Sequence, residues 1–215
     1  MKRLLLPGAW VVALLLLASL GYLAYRYTPL SGETDVLVWL GNANLAWMSS
    51  LMEGVSFLGN TVPAVITVAG VVIVLLLYRR RVDAVFFALT PAASVLVTYL
   101  IKLLVGRPRP DELLAGSGLS FPSGHVSYAA TLGGFAWYLA PRVMPQRAAV
   151  WAVRGLMALF VLLTGFSRLY LGAHWPSDVA GGVLLAGFCV AAAARWHGRR
   201  RGARILPEVN DAGTA

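Results

Sequence analysis

Ser167-Arg168-Leu169-Tyr170-Leu171-Gly172-Ala173-His174-Trp175-Pro176-Ser177-Asp178 lies between two apolar runs and is the least lipid-like sequence in its neighbourhood. It holds a cation, an imidazole and a carboxylate. His174 and Asp178 are four residues apart, so a helical turn brings the carboxylate within reach of one ring nitrogen. Held that way, the ring has a fixed tautomer and keeps the lone pair on its other nitrogen, as a base or nucleophile requires. Arg168 adds a planar donor fork suited to a phosphate or carboxylate. Taken alone, the stretch also fits a plain loop whose polar residues face water.

The two flanking apolar runs are typical of the whole chain. Of its 215 residues, 59% are hydrophobic and 13% charged, with a mean hydropathy of +0.73. Soluble domains carry roughly 25% charged residues. The composition is that of an integral membrane protein. A single cysteine, Cys189, excludes a disulfide framework within the chain. The net charge of +9 does not point to nucleic acid. Its basic residues fall in short clusters between apolar runs, where they set membrane topology.

Residues 1–215 read as one all-α, membrane-embedded domain, a bundle of six transmembrane helices. Met1-Lys2-Arg3 resembles the start of a leader, but the apolar run of residues 4–25 is long enough to be a first span. Residues 26–60 read as a loop with a short interfacial helix, and Trp39, Trp47, Tyr170 and Trp175 as aromatics at the outer membrane interface. Further spans are expected at about 61–78, 84–105, 123–140, 149–167 and 178–195, followed by a basic, frayed tail over 196–215. Placing the N terminus inside puts 13 of the 18 basic residues on the inner side. The outer side keeps Arg26, Lys102, Arg107, Arg109 and Arg168.

Four of these five outer cations sit at the end of span three, in the link after it or at the end of span five. Those places meet on one face, together with the start of span four, Pro122-Ser123-Gly124-His125. A helix N terminus with a small Ser-Gly pair offers free backbone N–H groups to an anion. Singly, Lys102 reads as a snorkelling lysine, Pro-Ser-Gly as a turn and His125 as a structural histidine. Jointly they gather cations, two imidazoles and a carboxylate at one edge of an apolar protein, where ionisable groups are costly and mark function.

Lys102-x6-Arg109-Pro110, Pro122-Ser123-Gly124-His125 and Ser167-Arg168-x5-His174-x3-Asp178 resemble the three ordered motifs of the type-2 phosphatidic acid phosphatase family. That family includes membrane lipid phosphate phosphatases and shares its site with vanadium haloperoxidases. The resemblance implies a hydrolase acting on phosphatidate, phosphatidylglycerol phosphate or polyprenyl diphosphate in a bacterial cell membrane, with the site facing the periplasm or cell exterior. It implies His174 as nucleophile, Asp178 as its partner and His125 as general acid and base. Lys102, Arg109 and Arg168 would bind phosphoryl oxygens, with the Ser123 hydroxyl and the Gly124 N–H. Phosphoryl transfer needs its equatorial charge neutralised, and side-chain cations can do this without magnesium. No metal and no cofactor are expected, and the partners are a lipid phosphate and the bilayer. Two other classes use the same residues. A phosphotransferase would pass the phosphoryl group to another lipid. An anion transporter would show its polar groups at mid-membrane rather than at one edge.

The topology has a direct check. In a Cys189→Ala background, single cysteines at Gly116 and Gln146 are expected to label with an impermeant maleimide from opposite sides of the membrane. Labelling of both from the outside would contradict it.

Overall fold

The computed structural model describes residues 5–43, 45–110 and 118–203. Gly116, Lys2, Arg3, Arg204 and the rest of the tail lie outside them. The described residues form eight helices: α1 Leu5–Arg26, α2 Glu33–Asn42, α3 Ala46–Phe57, α4 Thr61–Leu77, α5 Arg81–Val105, α6 Gly124–Val143, α7 Arg147–Tyr170 and α8 Pro176–Ala203. Six of them match the six expected spans closely in position. Residues 26–60 depart from expectation, because they hold two helices instead of a loop with one. The other departure is at the end of α8, where residues 196–203 continue the helix instead of fraying.

By length and composition α5, α7 and α8 are apolar enough to cross a membrane, and α3 with α4 forms a fourth candidate bent by 51°. The apolar part of α1, Val11–Arg26, is shorter. α6 does not qualify as an apolar span, and its position explains why. It packs against α5, α7 and α8, so it carries buried Ser127, Tyr128 and Thr131 in place of lipid-facing leucines. Such small and hydroxylated residues let helices approach where lipid gives no hydrophobic drive to association. Thr131 Oγ1 lies 3.1 Å from Ser94 Oγ on α5 and 2.7 Å from the Ser127 carbonyl oxygen.

The core near the far ends of these helices is aromatic. Phe135 meets Phe86 and Phe87 edge-on, with ring centroids 4.8 and 5.0 Å apart. Next to it a buried polar clamp joins three helices. His197 Nε2 on α8 lies 2.7 Å from Asp83 Oδ1 on α5, and its Nδ1 lies 3.0 Å from the Tyr138 hydroxyl on α6. Arg79, Arg80, Arg81, Arg142, Arg147, Arg195 and Arg199 all belong to this end of the bundle.

At the opposite end, α8 approaches α6 through two glycines. A Cβ on Gly181 would come within 2.6 Å of the Phe121 ring, and one on Gly182 within 2.9 Å of the Ser123 carbonyl oxygen. The second neighbour is backbone and has nowhere to go. Gly182→Ala is therefore expected to lower the thermal midpoint in detergent, at about 1–3 kcal/mol for overpacking. Gly187→Ala, with nothing within 4 Å of its added Cβ, is expected not to. Equal midpoints for Gly182→Ala and the parent would show that the two helices are not in this contact.

Candidate active site

A tight turn delivers His174. α7 ends where the Gly172 backbone takes φ 62°, a left-handed conformation that suits glycine. The Ala173 and His174 N–H groups then donate to the Arg168 carbonyl oxygen at 3.1 and 3.2 Å. This folds His174 back under α7, just before α8 begins. His174 Nδ1 donates to Asp178 Oδ2 at 3.2 Å, and the Trp175 N–H donates to the same oxygen at 2.9 Å. The expected pairing is therefore formed, with Asp178 in the first turn of α8 and His174 in the turn before it. Nε2 keeps its lone pair.

Asp178 is fully buried and His174 is 2% exposed. The His174 turn lies outside the membrane-spanning segments. Burial pushes its pKa down from 6.5 to about 4; the bond and charge of Asp178 pull it up, and the charges of Lys102 and Arg168 push it down again. The ring is neutral at pH 7.

The other Asp178 oxygen faces a group that the motif reading left unassigned. Arg107 Nη1 donates to Asp178 Oδ1 at 2.7 Å and to Ser177 Oγ at 2.6 Å. Its Nη2 donates to Glu33 Oε2 at 2.5 Å. Glu33, on α2, also accepts from the Ser177 N–H at 2.9 Å. Removing one member of a buried ion pair typically costs about 3–5 kcal/mol, because the remaining charge is stranded. Neither Arg107 nor Glu33 stood out in the sequence as a partner of Asp178. Glu33 is 145 residues away from it, in a segment read as a loop.

The α5–α6 link brings several of the candidate phosphate ligands together. Gly106 (φ 63°) ends α5, and residues 107–110 then run beside 118–123, with the Ser120 N–H donating to the Arg107 carbonyl oxygen at 2.8 Å. Lys102 does not snorkel into solvent. Its Nζ donates to the Leu119 and Ser120 carbonyl oxygens at 2.6 and 2.8 Å, which leaves one of its three donors free. The Ser123 N–H donates to the Asp178 carbonyl oxygen at 3.0 Å, so the start of α6 is tied directly to the start of α8. α6 has no side-chain cap, and the Gly124 N–H is among its open first-turn donors. Ser123 Oγ, Arg109 Nε and Arg168 Nε are buried with no hydrogen-bond partner among the described residues. Such orphaned donors are expected where an anion binds.

His125 stands in the first turn of α6. Its Nε2 lies 3.0 Å from Asn60 Oδ1 at the start of α4, and its ring packs so closely on Gly59 that a Cβ there would come within 2.5 Å. His125 is within electrostatic reach of Arg168, His174, Arg109 and Lys102. Arg168 donates through Nη1 to Ser56 Oγ on α3. All eight candidate residues thus gather at one end of the bundle. Asn60 and Ser56, like Glu33, come from the part of the chain without motifs. Trp39 and Trp47 are exposed as expected of interfacial aromatics, but Trp175 is not. It is 8% exposed, donates Nε1–H to the Pro108 carbonyl oxygen at 3.0 Å and lies under the Arg107 guanidinium at 5.4 Å. Among the described residues no group of three His, Cys, Asp or Glu side chains comes together as a metal site would require.

An acidic residue behind a buried histidine, beside cations that have no carboxylate partner in hydrogen-bond contact among the described residues, is an arrangement suited to a phosphoryl-type anion, and it stands on an all-helical scaffold with several apolar, membrane-length helices. The chain belongs to the PAP2 superfamily, whose family model matches residues 83–202. It is 31% identical over 149 residues to phosphatidylglycerophosphatase B of Bacillus subtilis, covering 65% of this chain and 70% of that protein. It is also 31% identical over 115 residues to undecaprenyl-diphosphatase BcrC of the same organism, covering 50% of this chain and 54% of the relative. The fold matches the crystal structure of a transmembrane PAP2-type phosphatidylglycerolphosphate phosphatase from Bacillus subtilis, with a TM-score of 0.79 at 23% identity over 93% of this chain and 98% of that one.

The state of His174 can be measured. Histidine-selective nitrogen-15 NMR in micelles is expected to show a neutral His174 ring carrying its proton on Nδ1 at pH 7 and titrating near pH 4. Asp178→Asn removes the one negative charge in contact with the ring among the described residues, so the midpoint is expected to fall further. A midpoint near 6.5 in the parent would contradict the burial described.

Proposed function

We propose that this protein is a six-span membrane phosphatase. It hydrolyses lipid phosphate mono- or diphosphate esters at the outer face of a bacterial cell membrane through a phosphohistidine on His174. The observation that carries this reading is the neutral, Asp178-oriented His174 beside Lys102, Arg109 and Arg168, whose charges no carboxylate among the described residues cancels. Several clusters of basic residues at the opposite end of the bundle support N and C termini inside and the site outside. An apolar groove of about 420 Å³ between α1 and α5, lined by Leu14, Gly21, Tyr25, Leu104 and Phe121, supports a substrate with a long hydrocarbon chain. Phe121 lines this groove two residues before Ser123.

In the first step His174 Nε2 attacks phosphorus and the P–O ester bond breaks. His125 takes up a proton as the anionic phosphate ester binds and passes it to the leaving oxygen, while Asn60 Oδ1 accepts from Nε2–H of that ring. Arg109, Arg168, the free donor of Lys102, Ser123 Oγ and the Gly124 N–H hold the equatorial oxygens as charge builds on them. The Nδ1–H of His174 stays on Asp178, which balances the positive ring of the phosphohistidine. In the second step a water attacks phosphorus and gives its proton to His125. The P–N bond breaks, releasing phosphate and restoring neutral His174. The three cations do the work a divalent metal does in other phosphoryl-transfer enzymes, so no metal is required.

The test is acid-quenched labelling with a phosphorus-32 lipid phosphate, with free phosphate measured in parallel and EDTA present. Wild type is expected to trap label and release phosphate, with vanadate inhibiting. His174→Ala is expected to trap none. His125→Ala is expected to slow turnover about 10²- to 10⁴-fold, and by less for p-nitrophenyl phosphate, whose leaving oxyanion needs no proton. Label trapped on His174→Ala, or activity lost to chelator and restored by magnesium, would overturn the assignment. Phosphate appearing only on a second lipid would make the protein a transferase.

A further inference from the structure

Glu33 lies in no sequence motif and outside residues 83–202, yet it is 5% exposed, and three of the four hydrogen bonds described for its carboxylate go to Arg107 and Ser177 beside Asp178. Its Oε1 accepts from the Ser177 N–H at 2.9 Å and from Ser177 Oγ at 2.5 Å. Its Oε2 accepts from the Leu30 N–H at 2.8 Å and from Arg107 Nη2 at 2.5 Å. We propose that Glu33 is a positioning residue for His174: by sharing the Arg107 guanidinium with Asp178, it leaves Asp178 the negative charge needed to hold and stabilise the phosphorylated ring. The proposal rests on the phosphohistidine reading above.

The reasoning follows from charge. Arg107 presents its two terminal nitrogens to two carboxylates, Nη1 to Asp178 and Nη2 to Glu33. With Asp178 alone it would form a buried pair of zero net charge, and the field of such a pair at a third group is weak. With Glu33 the trio carries one net negative charge. The charged and titratable groups that face His174 are Asp178 on α8, Lys102 on α5, Arg168 on α7, His125 on α6 and, through Asp178, Arg107 in the link. Asp178 is the one anion in that set. When Nε2 bonds to phosphorus the ring becomes positive among cations, and Asp178 is the carboxylate that holds it among the described residues. Glu33 keeps the charge of that carboxylate from being consumed by Arg107. Through the Ser177 N–H it also fixes the first turn of α8, from which Asp178 projects.

Glu33 touches none of the groups assigned to the phosphoryl oxygens, so its effect belongs in kcat rather than KM. For Glu33→Gln, kcat on a lipid phosphate is expected to fall about ten- to hundredfold, the range for partners that orient a functional ligand. KM is expected to be little changed. The fraction of enzyme trapped as phosphohistidine at steady state is expected to drop. Losing a negative charge disfavours the protonated ring, so the acid limb of kcat/KM is expected to move to lower pH. Glu33→Asp keeps the charge but retracts it and is expected to lose less. Ser177→Ala keeps both carboxylates on Arg107 and is expected to stay within a few-fold of wild type.

All variants are assayed below their melting temperatures, which are measured on the same samples. Wild-type kcat and phosphoenzyme level in Glu33→Gln would overturn the proposal. So would losses in all three variants that simply track their melting temperatures, with the acid limb unmoved. If Glu33→Gln does not accumulate folded, Glu33→Asp is read in its place: a lowered kcat with a shifted acid limb supports the proposal, and a wild-type kcat overturns it. Wild type that neither traps label nor releases phosphate overturns the phosphatase reading, and this proposal with it. Wild type that does both, with Glu33→Gln unaffected, overturns this proposal alone.

Discussion

Asp178 joins the parts of this protein that the chain brings from far apart. One carboxylate oxygen holds the His174 ring and the Trp175 N–H, and the other holds Arg107. Its backbone carbonyl accepts the Ser123 N–H at the start of α6. Three separate segments, the α5–α6 link, the start of α6 and the α7–α8 turn, therefore meet on one buried residue. A buried carboxylate is tolerable only when its lone pairs are filled by well-aligned donors. That requirement makes the arrangement of the site and the stability of this end of the bundle a single problem.

The two ends of the bundle solve the problem of burying charge in opposite ways. At the far end, His197, Asp83 and Tyr138 satisfy one another, Arg80 pairs with Asp83 at 3.2 Å and Phe86 stacks on His197 at 4.5 Å. This is a closed polar network, worth having where lipid gives helices no hydrophobic reason to associate. At the near end, Glu33, Arg107, Asp178 and His174 form an equally closed network, but a layer of donors around it stays open. Ser123 Oγ, Arg109 Nε and Arg168 Nε have no partner among the described residues. A satisfied inner layer holding an unsatisfied outer one is what a rigid site for the proposed anion requires.

Lys102, Trp175 and Glu33 show what a linear reading gets right and where it stops. Lys102 was legible as a candidate ligand through the motif it shares with Arg109, but not its bonds to the Leu119 and Ser120 carbonyls, which fold the link around it. Trp175 looked like an interfacial aromatic because indole favours that zone. It is buried instead because Pro108 supplies a carbonyl for its N–H and Arg107 a cation for its face. Glu33 and Asn60 were invisible as partners of Arg107 and His125, since nothing in their local sequence announces a contact across 74 or 65 residues.

What the sequence determined by itself was local or statistical. The apolar runs placed six helices closely, though three of them and one bent pair are apolar enough to cross a membrane, and the four-residue spacing of His174 and Asp178 placed their pairing, because both depend on helical geometry over short distances. The clustering of the candidate ligands in three stretches pointed to one face. The tertiary structure decided which charges are compensated and which stay open. That depends on close contacts between segments far apart in the chain, such as Arg107 between two carboxylates and the Ser123 N–H on the Asp178 carbonyl. Coulombic and hydrogen-bond energies at 2.5–3.2 Å change steeply with distance, and only the packed helices set those distances.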